Sequence, residues 1–222
     1  MRGVGMSRID AFSDVVFGFA ITLLVVSLEV PKSFEELRGS ITGFLPFAIC
    51  FTMLLLVWYS HYQFFRRYNL HDTLTIVLNS CLLFVVLFYV YPLKFVWSIA
   101  LGSARAPLTA EDVKLLMLLY GIGYTSVYVL FGLLYIRAYS LRSQLDLNAV
   151  ELLATKASIV DHFGLAGIGV LSCAIALLLP PAICQIAGYI YFLIGPFKFV
   201  HGTYFGKKHR MLVRTTPLLH HV

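Results

Sequence analysis

Between Asp161-His162 and Lys198 the chain runs for 35 residues, 163–197, without one Asp, Glu, Lys or Arg. A helix needs about 20 apolar residues to cross a hydrocarbon core of about 30 Å. The run is too long for one crossing and too apolar for a soluble surface. Pro180-Pro181 divides it, because proline has no amide hydrogen and its ring clashes with the preceding turn. Two helices meeting at that pair satisfy both constraints.

The rest of the chain repeats the pattern. Only 13% of its 222 residues are charged and 59% are hydrophobic, against roughly 25% and 45–50% in soluble domains. Mean hydropathy is +0.85. The expectation is an all-α membrane protein, a single six-helix transmembrane domain over 1–222. Its helices are expected at about 8–30, 41–65, 73–97, 113–138, 158–179 and 182–205. The inner link, 137–161, interleaves Leu141, Leu145, Val150 and Leu153 with charges, which suggests an interfacial helix. No segment can build a soluble domain of its own.

Lys and Arg set the orientation. Twelve flank one side, from Arg2 and Arg8 to the tail after Lys198, and five flank the other. Both termini are therefore expected in the cytoplasm, in a multi-pass protein of a plasma or inner membrane. The net charge of +6 is mostly this asymmetry plus a basic tail suited to anionic headgroups rather than nucleic acid. Cys50, Cys81, Cys173 and Cys184 lack metal-ligand spacing and read as reduced core thiols. The first apolar run lacks a cleavage site and is expected to stay.

That first run carries charges where hydrocarbon should begin. Ser7-Arg8-Ile9-Asp10 has the form of a capping box, so Asp10 suits the helix start. Asp14 lies a turn deeper and costs about 2.5–3.5 kcal/mol unless paired or wetted. Trp58 and His61 on the second helix and Asn79 on the third are its candidate partners at that depth, with Arg8 expected to reach a neighbouring helix. A helical wheel puts Asp14, Phe17, Ile21, Leu24 and Leu28 on one face. Phe12, Val15, Val16, Phe19, Thr22, Leu23, Val26 and Val30 lie opposite. Asp14 is accordingly expected to be buried on the first face.

Arg8-x-x-x-Phe12-Ser13-Asp14, followed by Ala20-Ile21-Thr22-Leu23-Leu24, resembles the opening of the transmembrane protein 175 family, the endolysosomal potassium channels and their prokaryotic homologues. Trp58-x-x-His61-x-x-Phe64, and Leu78-Asn79 leading to Tyr91-Pro92, also resemble it. The resemblance spans roughly residues 8–95. It implies potassium-preferring channels without a carbonyl filter, with the first helix lining a central pore. It also implies that a single-repeat chain assembles as a homotetramer in the lipid bilayer. In that scheme Arg8, Phe12, Ser13 and Asp14, with Trp58, His61 and Asn79, form a signature network pinning helix 1 to its own subunit. The constriction carries over to Phe19, with Thr22, Leu23 and Val26 beyond it. Phe19 stands where the family usually has Ile or Leu, and Val15 where a small residue is common. No cofactor and no resident metal are implied, only permeant potassium ions.

Other readings find less support. Tyr120-Gly121-Ile122-Gly123-Tyr124 superficially resembles the TVGYG filter of ordinary potassium channels, but it sits inside a continuous apolar span, and its glycines read as close-packing or flexibility points. A secondary transporter working as a dimer of six-helix halves is the alternative. It needs broken helices and polar groups at the midplane. Gly164, Gly167, Gly169 and Gly195-Pro196 could loosen helices, yet they bring no carboxylate there. An enzyme is not expected: no H-E-x-x-H motif occurs, and Asp161-His162 reads as a charged helix start.

Overall fold

The computed structural model describes residues 8–26, 32–35, 38, 41, 43–102 and 108–215, with side chains of the last helix to Val213. Ser7 as a cap, and Leu28 and Val30 at the end of the first helix, lie outside the described residues. Among the described residues six segments are long and apolar enough to cross a membrane. Five are continuous helices: α1 (Arg8–Val26), α2 (Phe44–Tyr68), α3 (Thr73–Ala100), α4 (Ala110–Ser140) and α5 (Ala149–Leu178). The sixth, Pro181–Val213, begins as a 3-10 turn (Pro181–Ile183), a four-residue helix (Ile186–Tyr189) and a second 3-10 turn (Ile190–Leu193). It then becomes α6 (Ile194–Thr215). No strand occurs among the described residues.

The helices gather into two groups. α1 packs on α2 and α3, while α5 packs on α4 and carries α6 on its far side. The α3–α4 contact joins the groups, and α1 touches the first group only in substance. A ring cluster closes the join on one side. Phe64 and Tyr68 of α2 meet Tyr135 of α4 edge-on, and Tyr135 stacks on His162 of α5 at 5.0 Å. The Tyr68 hydroxyl reaches Thr155 Oγ1 at 2.7 Å. Cys50 and Cys184 lie in the interior and Cys173 is half-buried, but Cys81 is exposed rather than a core thiol.

Several boundaries differ from the sequence expectation for identifiable reasons. The inner link has no interfacial helix of its own. Residues 141–146 are turns, and Asn148 with Glu151 forms a capping box that starts α5 nine residues earlier than expected. With no breaker before Pro180, the amphipathic stretch is simply the first turns of that span. Asp161 is consequently not a helix start. It lies inside α5, where Lys198 Nζ reaches its carboxylate at 2.6 Å. Thr109 and Asp112 cap α4 in the same way.

Gly123 explains how α3 and α4 come so close. A Cβ there would run into the Tyr89 ring, and one at Gly121 would sit 2.5 Å from Cys173 Sγ. The Tyr-Gly-Ile-Gly-Tyr stretch is unbroken α4 helix, so its glycines serve packing between spans.

Asp72 holds the α2–α3 turn to α4. It caps α3 by accepting from the Thr75 amide and hydroxyl, and it accepts from Arg137 Nε at 3.0 Å. Partial burial opposes its ionisation. The hydrogen bonds from Thr75 and Arg137 and the adjacent guanidinium outweigh that and hold the carboxyl below its usual range. A carboxyl lowered by folding adds stability that is present above its ordinary value of 3.8 and is lost as pH falls through the folded value. Asp72→Ala should cost about 1 kcal/mol through the lost cap, with up to ~1 kcal/mol more from the solvent-screened ion pair. Thermal unfolding in mild detergent checks both points: the wild type should lose this increment below pH 3.8, and the variant should have no such increment to lose.

Candidate functional site

α1 is 19 residues long, about 28 Å at 1.5 Å per residue, so it just spans a hydrocarbon core. Its packed face is Ser13, Phe17, Ala20 and Leu24, all at most 1% exposed, at the 4-3-4 spacing of a single helical stripe. Ser13 and Ala20 are small enough to let α1 approach α3 closely.

A chain of hydrogen bonds anchors this face. Asn79 Nδ2 on α3 donates to Ser13 Oγ at 2.9 Å, and Asn79 Oδ1 lies 2.8 Å from His61 Nε2 on α2. An amide oxygen only accepts, so the ring carries its proton on Nε2. Phe17 and Phe65 flank the imidazole at 5.4 and 4.6 Å. Three helices thus meet at three buried polar side chains, each satisfied by another. Beside them Trp58 Nε1 donates to Asp14 Oδ1 at 2.8 Å, and Trp58 stacks on Tyr62.

The arrangement corrects two expectations. Asp14 is exposed on the single subunit, not buried. The true packed stripe is centred about a quarter-turn from it, because Ser13 rather than Asp14 enters the interface. His61 and Asn79 therefore serve Ser13, and Trp58 donates to Asp14. Arg8 and Phe12 are not in the anchor. Both are exposed, and among the described residues no ion pair joins Arg8 to Asp14.

The opposite side of α1 is bare and apolar. Val15, Phe19 and Val26 are 70, 57 and 77% exposed, and Thr22 lies among them with its hydroxyl turned back to Phe19 O at 2.8 Å. Leu23 is half-buried at the edge of this face rather than on it. Gly18 belongs to the open side as well, and nothing lies within 4 Å of where its Cβ would be. Sequence reasoning passed over Gly18. Its position three residues after Val15 and four before Thr22 was the available signal.

These features define a multi-pass membrane protein whose first helix is tied down on one face and leaves an apolar stripe uncovered on the single subunit. The sequence profile described as "Endosomal/lysosomal potassium channel TMEM175" matches residues 8–89. A potassium channel of Marivirga tractuosa is 40% identical, the match covering 96% of this chain and 93% of the relative. A crystal structure of the potassium channel MtTMEM175, a variant bound to a nanobody fusion, superposes with a TM-score of 0.80 at 40% identity, covering 93% of this chain and 96% of that one. The TMEM175 homologue of Chamaesiphon minutus shares the fold at a TM-score of 0.57 and 23% identity, over 91% of this chain and 96% of its own. The chain belongs to the TMEM175 family.

Asn79→Ala should leave Ser13 and His61 buried without partners, at about 1–3 kcal/mol for each. Asp14→Ala should cost less, since Trp58 and the carboxylate both lie near the surface of the subunit. Melting temperatures of the two purified variants check that order.

Proposed function

We propose that this chain is the subunit of a potassium channel, a homotetramer in which α1 of each copy lines a central pore. The observation that carries the reading is the open stripe of Val15, Phe19, Thr22 and Val26, apolar and exposed on a helix whose other face is tied down. One such helix cannot enclose a path; several copies can. Membership in a potassium-channel family supplies the permeant ion, and the chemistry needed is passive conduction without a cofactor. The excess of Lys and Arg on one flank puts both termini in the cytoplasm.

In this arrangement Phe19 forms the constriction, with Thr22 and Val26 in layers beyond and Leu23 supporting from the side. Four apolar rings exclude water, and an ion cannot enter a dry neck without losing hydration worth far more than thermal energy. Gating by dewetting follows from that composition. Ser13, Asn79 and His61, with Asp14 and Trp58, hold α1 at a fixed rotation so that the stripe faces the axis. Arg8 and Phe12 continue the open side toward the pore mouth.

Native mass spectrometry in mild detergent should show four copies. A functional monomer would overturn the reading, and an obligate dimer would favour a transporter built from two six-helix halves.

Liposome flux measurements with potassium and sodium test the constriction. Phe19→Ala should widen and wet the neck, raising cation flux and weakening discrimination against sodium. Leu24→Ala, on the packed face, should cost about 2–5 kcal/mol of stability and leave selectivity unchanged. The reverse pattern would mean that α1 is turned by about half a revolution.

A further inference from the structure

A groove between the first turns of α5 and the first two-thirds of α6 has no part in the proposed conduction path. It is an open groove of about 650 Å³ walled by Leu153, Val160, Phe197, Val200 and Phe205. That is within the range of roughly 300–1,000 Å³ typical of small-molecule sites. Lys156 on α5 and Lys208 on α6 stand at it. Their ammonium groups rest on tyrosine rings, Lys156 Nζ 5.5 Å from the Tyr139 centroid and Lys208 Nζ 4.5 Å from that of Tyr204.

Among the described residues neither lysine has a carboxylate within ion-pair distance. The acidic groups of this region are engaged elsewhere. Asp161 is held by Lys198 at 2.6 Å and lies 3.7 Å from His201 Nδ1. Glu151 accepts from the Asn148 amide at 3.0 Å in the α5 capping box. An apolar slot with two uncompensated positive charges remains. Its α6 wall is open to the surroundings, with Val200 65% exposed.

We propose that this groove binds an anionic phospholipid, with the headgroup phosphate against Lys156 and Lys208 and an acyl chain along Phe197 and Val200. Both helices are membrane spans, so the occupant must be at home in a bilayer. The slot combines an apolar wall that water wets poorly with two ammonium groups that attract anionic headgroups. The two uncompensated ammonium groups call for an occupant of the opposite sign, which an anionic lipid supplies. The site requires only that the chain span a membrane and is independent of how α1 conducts.

The test is native mass spectrometry of the full chain, titrated with phosphatidylglycerol or phosphatidylcholine carrying identical acyl chains. The wild type should prefer phosphatidylglycerol by about tenfold or more, from roughly fivefold per lysine near an anionic headgroup. K156Q/K208Q should lose the preference while still binding both lipids weakly, and K156R/K208R should keep it. Val200→Trp, which fills the slot, should lower affinity for both lipids. Melting temperature and subunit number are measured alongside for each variant. Equal binding of the two lipids by the wild type, or an undiminished preference in K156Q/K208Q, overturns the proposal. Displacement of phosphatidylglycerol by millimolar inorganic phosphate overturns it in favour of a free-anion site. Dissociation of subunits in K156Q/K208Q overturns it in favour of an interface between copies.

Discussion

The hydrogen-bond chain from Ser13 through Asn79 to His61 fixes the rotation of α1, and the rotation of α1 decides which side chains are left open. Hydrocarbon offers no water to satisfy these groups, so each must find a protein partner or remain costly. An interhelical hydrogen bond in a membrane is worth only about 0.6–2 kcal/mol. Its larger contribution here is directional. Turning α1 by one residue would put Asp14 or Phe12 opposite Asn79: the carboxylate would accept from the amide but bury a charge, and the phenylalanine would leave the amide without an acceptor. Apolar packing of Phe17, Ala20 and Leu24 supplies adhesion, and the polar chain supplies register.

The two helix groups divide the work. α1, α2 and α3 carry the anchor and present the apolar stripe, while α4 and α5 form the most extensive helix contact in the molecule and support them through α3. Aromatic rings mediate the join, with Tyr135 meeting Phe64 and Tyr68 on one side and His162 on the other. α6 stands outside this body on α5 alone for most of its length. Its broken start after Pro180 and its basic end leave it partly unpacked, and the lysine-flanked groove lies in that gap.

Much of this was legible in the sequence because membrane insertion is governed by composition over windows of about 20 residues. The number of spans, the division at Pro180-Pro181 and the packing role of Gly123 all follow from local residue identity. So did Asp14, Trp58, His61 and Asn79 near the first helix, whereas Ser13 was singled out only by the family resemblance. Their pairing was not legible. A charge deep in an apolar helix draws attention to itself, so Asp14 was assigned the partners that Ser13 takes. A serine in a span gives no comparable signal, since it can satisfy itself against its own helix backbone. The extended start of α5 was hidden for a related reason. Charged residues suggested an interfacial segment, whereas the Asn148–Glu151 capping box continues into the span without a breaker.

The sequence by itself determined that the chain crosses a membrane as six helical segments, that the last two divide at Pro180-Pro181, and which charged and amide side chains near the first helix need company. These are properties of hydropathy, proline geometry and the cost of an unsatisfied group, and they act within one helix. Only the tertiary structure decided that Ser13 and not Asp14 enters the α1–α3 interface, that Leu23 moves to the edge of the open stripe, and that Lys156 and Lys208 share one groove. Those outcomes depend on the rotation and distance between helices. They are set by the fit of small residues, rings and hydrogen bonds contributed from segments far apart in the chain.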